Sequence, residues 1–221
     1  MLRVALQRAW RPTAGALVAG AAAACERRDD TDTDESLVQF WFDGAQSGYD
    51  KRWGDRDSAW FKQFESSARS WEAAYEATAA SPAPIDETSD ALSALEVVLR
   101  LDQIPRTLYP KTPRAYARDD LAVGAARDAV RLGKDLELEP DLRVWMYMPF
   151  LHSERLDDQE TCVRKMDEVA RAHPPAAPFH EAALAHHRAV ERFGRLPERN
   201  RVLGRDSTKE EEAWLKVHPT A

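Results

Sequence analysis

Phe193-Gly194-Arg195-Leu196-Pro197-Glu198-Arg199-Asn200-Arg201-Val202-Leu203-Gly204-Arg205-Asp206-Ser207-Thr208 has no hydrophobic period, and its residues mark where helices stop and start. Gly194 supplies a left-handed terminator for a helix before it, Pro197 forbids an immediate restart, and Ser207 or Thr208 offers the side-chain oxygen that opens the next helix. Between these signals the stretch crowds arginines around one asparagine. A segment with that much specified chemistry is either a binding feature or a buried corner.

Outward from this loop the chain reads as helices separated by proline. A helix of about Phe179 to Phe193 precedes the loop and one of about Thr208 to Val217 follows it, where Thr208 and Glu211 form a capping-box pattern. Further back the spacing predicts helices over Ser153 to Ala172, Pro140 to Pro149, Pro113 to Leu132 with Gly133 as its stop, and Glu87 to Gln103 ended by Pro105. Two more run from Asp57 to Ala80, closed by Pro82 and Pro84, and from Ser36 to Phe42. No stretch alternates as a strand would, so the fold class is all-α: about eight helices packed as antiparallel hairpins, in a compact bundle or a short solenoid. Trp41, Trp60 and Trp71, with Trp53, fall among aromatics at helical spacing and read as core rather than as a binding platform.

A chain of 221 residues with 43% hydrophobic residues supports one folded domain, here 36–217, between a disordered or targeting tail (1–35) and a disordered C-terminus (218–221). A net charge of −7 argues against general nucleic-acid affinity. The two cysteines, Cys25 and Cys162, form neither a disulfide framework nor a metal-ligand spacing, and there is no glycine-rich phosphate loop, so neither metal nor cofactor is expected. Residues 1–25 hold Arg3, Arg8, Arg11 and no acidic side chain, the composition of an organelle (mitochondrial) transit peptide. The run Ala14 to Ala24 ahead of Cys25 also fits a short secretory or lipoprotein signal, but it is too short to span a bilayer as an integral segment. If neither operates, the location is cytoplasmic.

The informative residues are polar ones on apolar stripes. The face through Leu95, Val98 and Leu99 continues to Asp102; the line Leu156, Val163, Met166 contains Gln159 and meets His152 one turn back; and the line Phe179, Ala183, Val190 runs through His186. A buried carboxylate or imidazole needs partners, since an unsatisfied one costs about 1 to 3 kcal/mol or more. Arg106, Arg192, Arg195, Arg199 and Arg205 suit carboxylates such as Asp102, Glu154 and Asp158. Two readings follow: a salt-bridge network that pins helix ends and the loop, or an anion-binding or catalytic pocket. His187, adjacent to His186, belongs on the surface, and Ser153 beside His152 makes no triad by adjacency alone.

Three strings, LRLDQIPRTLYPKTPRAYARDD (Leu99 to Asp120), MYMPFLHSERLDDQETCV (Met146 to Val163) and HHRAVERFGRLPERNRVLGRDSTKEEEAWL (His186 to Leu215), resemble the signature blocks of the domain of unknown function 924 family. VQFWFDG and AWFKQF resemble its opening, so the likeness runs from about Leu37 to Leu215. It implies an all-helical, tetratricopeptide-like fold and carries no catalytic assignment. The chain departs from the pattern at Thr107, Leu151 and Glu198, where asparagine, glutamate and histidine are usual. The last two weaken acid–base schemes through those positions.

The expected function is therefore a binding or interaction module for a protein segment or a small anionic ligand. The alternative is an enzyme on a small anionic substrate, with His152 or His186 as acid or base, Asp102 orienting it, and Arg195 and Arg199 holding the anion. Arg106, Glu154, Gln159, Asn200 and Arg205 complete the candidate binding set.

Overall fold

The computed structural model describes residues 36–42 and 57–218. The expectations for the N-terminal tail, Cys25, Trp53 and the last three residues lie outside them. Among the described residues every regular element is helical. The α-helices are α1 (Leu37–Phe42), α2 (Ala59–Ser67), α3 (Glu72–Ala80), α4 (Ala91–Leu108) and α5 (Asp119–Arg131). They are followed by α6 (Pro140–Met146), α7 (Met148–His152), α8 (Leu156–Ala172), α9 (Ala177–Phe193) and α10 (Lys209–Val217). Single 3-10 turns join several of them.

The centre of the fold is α4. Asp90 caps it, its carboxylate accepting from the Ser93 amide at 2.9 Å. Leu95, Val98, Leu99, Leu101 and Ile104 are fully buried along it, so the helix has apolar contacts on more than one side. It packs against α1, α3, α5, α6 and α7, while α8 and α9 pair with each other. That is the compact alternative, because in a solenoid each hairpin touches only its neighbours. The aromatics are core, as their spacing predicted: Trp41 sets its ring edge-on to Trp60, Phe64 and Trp145 at 5.0 to 5.4 Å, and so ties α1 to α2 and α6.

Several helix boundaries differ from the expected ones; the helix expected from Pro140 to Pro149 breaks at Tyr147, and α7 runs through Pro149 to His152. The long second helix is interrupted by a 3-10 turn at Ala68–Trp71. Pro105 does not end α4, which continues to Leu108 with Tyr109 N donating to Pro105 O at 3.0 Å. An internal proline costs a backbone bond, and burial of Ile104 and Pro105 together with the side-chain bonds of Arg106 offsets it. The helix expected over Pro113 to Leu132 is a 3-10 turn, Pro113–Tyr116, followed by a fresh start at Asp119. Asp119 and Asp120 occupy the first turn of α5, where negative charge is favoured by the helix dipole. This restart brings Asp119 and Tyr116 beside Arg106.

The helix signals at the two ends of the loop after α9 act as read. Gly194 closes α9 at φ 66°, and Thr208 with Glu211 forms a complete capping box on α10. With Leu99 fully buried on the central helix, Leu99→Ala should cost about 2 to 5 kcal/mol, read as a lower urea midpoint with an unchanged m-value.

Candidate functional site

The site begins with Asp102, a carboxylate 1% exposed on α4. Its Oδ1 lies 2.8 Å from His152 Nδ1 and 3.3 Å from Arg106 Nη1, and its Oδ2 accepts from Gln103 Nε2 at 2.6 Å. Burial alone would raise this carboxyl, but Arg106, His152 and Gln103 together hold it well below the ordinary carboxylate range. An ionised Asp102 accepts, so His152 donates from Nδ1. His152 Nε2 has no hydrogen-bond partner among the described residues. Burial and the Arg106 charge push the imidazole below its ordinary 6.5, Asp102 opposing and Arg199 adding to the depression.

His152 is aimed by the turn that ends α7. Gln159, fully buried on α8, reaches back with Nε2 to the carbonyls of Phe150, Leu151 and Ser153 at 3.2, 2.8 and 2.6 Å. Ser153 is committed to Asp158, donating from Oγ at 2.6 Å, and is not a nucleophile for His152. Asp158 takes its cation from α5, Arg127 at 2.6 Å, rather than from the loop after α9.

Beyond Asp102 the charges form a chain. Arg106 Nη1 donates to the Asp102 carbonyl at 2.6 Å and Nη2 to Asp119 Oδ2 at 2.9 Å. Arg199 Nη1 donates to the same Asp119 oxygen at 3.1 Å, and both guanidiniums lie over the Tyr116 ring, at 5.5 and 4.7 Å from its centroid. Asp119 Oδ1 is buried with no hydrogen-bond partner among the described residues.

Two other loop arginines, Arg205 and Arg195, are committed to carboxylates. Arg205 grips both oxygens of Glu154 at 2.7 and 2.8 Å, while Glu154 also accepts from the Leu196 amide. Arg195 grips Glu211 at 2.6 and 2.9 Å; Glu211, 2% exposed, is pulled down to about 2, with Arg195 as the largest cause. Asn200, fully buried, donates to Ser207 Oγ at 3.1 Å and folds the loop on itself. Arg192 meets Glu210 at the surface. His186 is half-buried on α9, its Nδ1 2.9 Å from Ala182 O of its own helix, and no hydrogen bond joins it to Asp102, His152 or Arg199. His187 instead lines an open groove of about 500 Å3 along α8 and α9, with His180, Val163 and Asp167 among its other walls.

Of the candidate set, then, Asp102, His152, Arg106 and Arg199 come together. Glu154, Gln159, Arg195, Asn200 and Arg205 brace the elements that present them. Sequence reasoning missed Asp119 and Tyr116. The Asp119-Asp120 pair after Arg118 was the available signal of a helix start, and it was hidden by the assumption of one long helix from Pro113. Among the described residues no group of His, Cys, Asp and Glu side chains is arranged to hold a metal ion.

The model of a family described as bacterial protein of unknown function, DUF924, matches residues 37–218. The chain belongs to this family. A solved structure of a protein of unknown function from Agrobacterium tumefaciens is 34% identical and superposes with a TM-score of 0.67, covering 81% of this chain and 94% of that one. Comparison with curated proteins finds no match. The DUF924 match spans α1 to α10 and therefore every residue of the Asp102–His152 cluster. No helix among the described residues is long and apolar enough to cross a membrane.

The lowered His152 value has a definite sign for stability. Its folded value lies below 6.5, so between the two values the unfolded chain binds more protons, and stability falls as pH drops below about 6.5. Urea unfolding between pH 7 and 5 should show a steeper loss for wild type than for His152→Gln. The difference should be at most about 1.4 kcal/mol per pH unit.

Proposed function

We propose that this DUF924 domain binds a small anionic molecule at the Asp102–His152 cluster and performs proton transfer on it. His152 Nε2 is the acid or base, and Asp102 is the group that orients the ring. The observation that carries this reading is the 2.8 Å bond from His152 Nδ1 to a fully buried carboxylate, with Nε2 left unpartnered. A neutral imidazole fixed in one tautomer, with its second nitrogen open, is the arrangement a general base requires. Arg199 and Arg106 supply positive charge beside it; Arg195, expected as an anion holder, is instead committed to Glu211. With Ser153 bonded to Asp158 and Cys162 fully buried with its thiol pushed well up by that burial, the base has water or the substrate's own proton to act on rather than an enzyme nucleophile.

A non-catalytic binding module is the second reading, favoured by the open groove along α8 and α9. Its walls include Arg164 and Arg171, which pair with Glu168 and Asp167 on their own helix at 3.1 and 2.8 Å, as on a solvated face.

Thermal-shift screening against small carboxylates and phosphates, followed by turnover assays on the stabilising compounds, separates the two. The acid–base reading expects His152→Gln to keep ligand-induced stabilisation and to lose turnover about 100- to 10,000-fold. If no anion stabilises the wild type, or if turnover survives the substitution, the reading fails.

A further inference from the structure

The buried and half-buried arginines around the loop after α9 repeat one habit. Arg195 places Nε and Nη2 on the two oxygens of Glu211, and Arg205 places Nη1 and Nη2 on the two oxygens of Glu154. Each meets a carboxylate with two parallel N–H donors, the geometry for which a guanidinium is built. Arg199 departs from the habit. Its side chain is 8% exposed, yet only Nη1 is engaged, at 3.1 Å from Asp119. Nε and Nη2 have no partner among the described residues. These two atoms share one edge of the guanidinium, the same edge that Arg195 sets against Glu211.

That edge is held in place. Asp119 fixes Nη1, and the Tyr116 ring lies against the guanidinium face, so a ligand meeting the edge has little rotamer entropy to remove. It belongs to the same cluster as the open nitrogen of His152, through the continuous path His152, Asp102, Arg106, Asp119, Arg199.

Charge selects among anions. Arg106 and Arg199 are balanced by Asp102 and Asp119, so the cluster is neutral when His152 is neutral. A carboxylate adds one negative charge, which a proton on His152 cancels. A phosphate dianion leaves one charge uncompensated in a poorly solvated place, and that is costly. We propose that the ligand of this site carries a carboxylate group, gripped through both oxygens by Nε and Nη2 of Arg199. This deepens the acid–base reading and rests on it for the location of the site, not for the grip itself.

The test titrates a series of small mono- and dicarboxylates, and separately inorganic phosphate and sulfate at equal ionic strength, into protein carrying 15N-labelled arginine. Carboxylates should shift the Arg199 Nε–H resonance, and Arg199→Lys, which keeps the charge and loses the fork, should weaken their binding at least tenfold. Arg195→Lys, altering a fork already committed to Glu211, should leave carboxylate affinity within twofold of wild type. If a lysine variant does not fold, the wild-type Arg199 resonance decides alone.

The inference is overturned if phosphate or sulfate moves that resonance more than every carboxylate does, if no carboxylate moves it, or if Arg199→Lys binds carboxylates as wild type does. A carboxylate that binds at Arg199 while His152→Gln leaves its turnover intact supports the grip and defeats the acid–base reading. Loss of turnover in His152→Gln with no response at Arg199 does the reverse.

Discussion

A carboxylate at 1% exposure on the helix that organises the core is the constraint from which the rest of the site follows. Asp102 stays ionised there only with donors on both oxygens, and Gln103, Arg106 and His152 are those donors. Arg106, drawn inward to serve Asp102, still has Nη2 donors to satisfy, and Asp119 accepts from them. Asp119 reaches it because the chain interrupts its helical course after Tyr116 and restarts at α5. Arg199 then arrives on the same carboxylate from the far loop, 80 residues on. Burial of one group thus propagates through a sequence of compensations that joins α4, α5, α7 and the loop after α9.

Three of that loop's arginines divide between two tasks. Arg195 and Arg205 are bonded two-pronged to Glu211 and Glu154, and these bonds close the loop onto α10 and onto the turn leading into α8. Removing one partner of such a pair strands a poorly solvated carboxylate, so their value is mainly in preventing that loss. Arg199 is more buried than either and less fully bonded. A structural role alone would favour the opposite, with the most buried cation the best satisfied.

Helical periodicity with proline and glycine punctuation made the fold class and most helices legible in the sequence, because both signals are local. The inward placement of Asp102 and Gln159 was legible for the same reason: each extends an apolar stripe by one turn. Legibility ended where competition between local and tertiary terms decides. Pro105 reads as a stop, yet the packing of Ile104 and the bonds of Arg106 carry the helix past it. The stripe through His186 is real, but half-burial on α9 lets that imidazole turn to its own backbone. Which carboxylate each arginine meets depends on how helices far apart in sequence dock, so the pairing of Arg106 and Arg199 on Asp119 had no sequence signal of its own.

The central claim is that burial and the Arg106 charge keep His152 neutral, while the Asp102 carboxylate fixes its proton on Nδ1 and leaves Nε2 bare. The imidazole 15N resonances of His152 at pH 7.5 report this directly, since a protonated and a bare ring nitrogen are far apart in chemical shift. The account predicts a neutral ring protonated at Nδ1 and a pyridine-like Nε2. A ring protonated at Nε2 alone, or at both nitrogens, would contradict it.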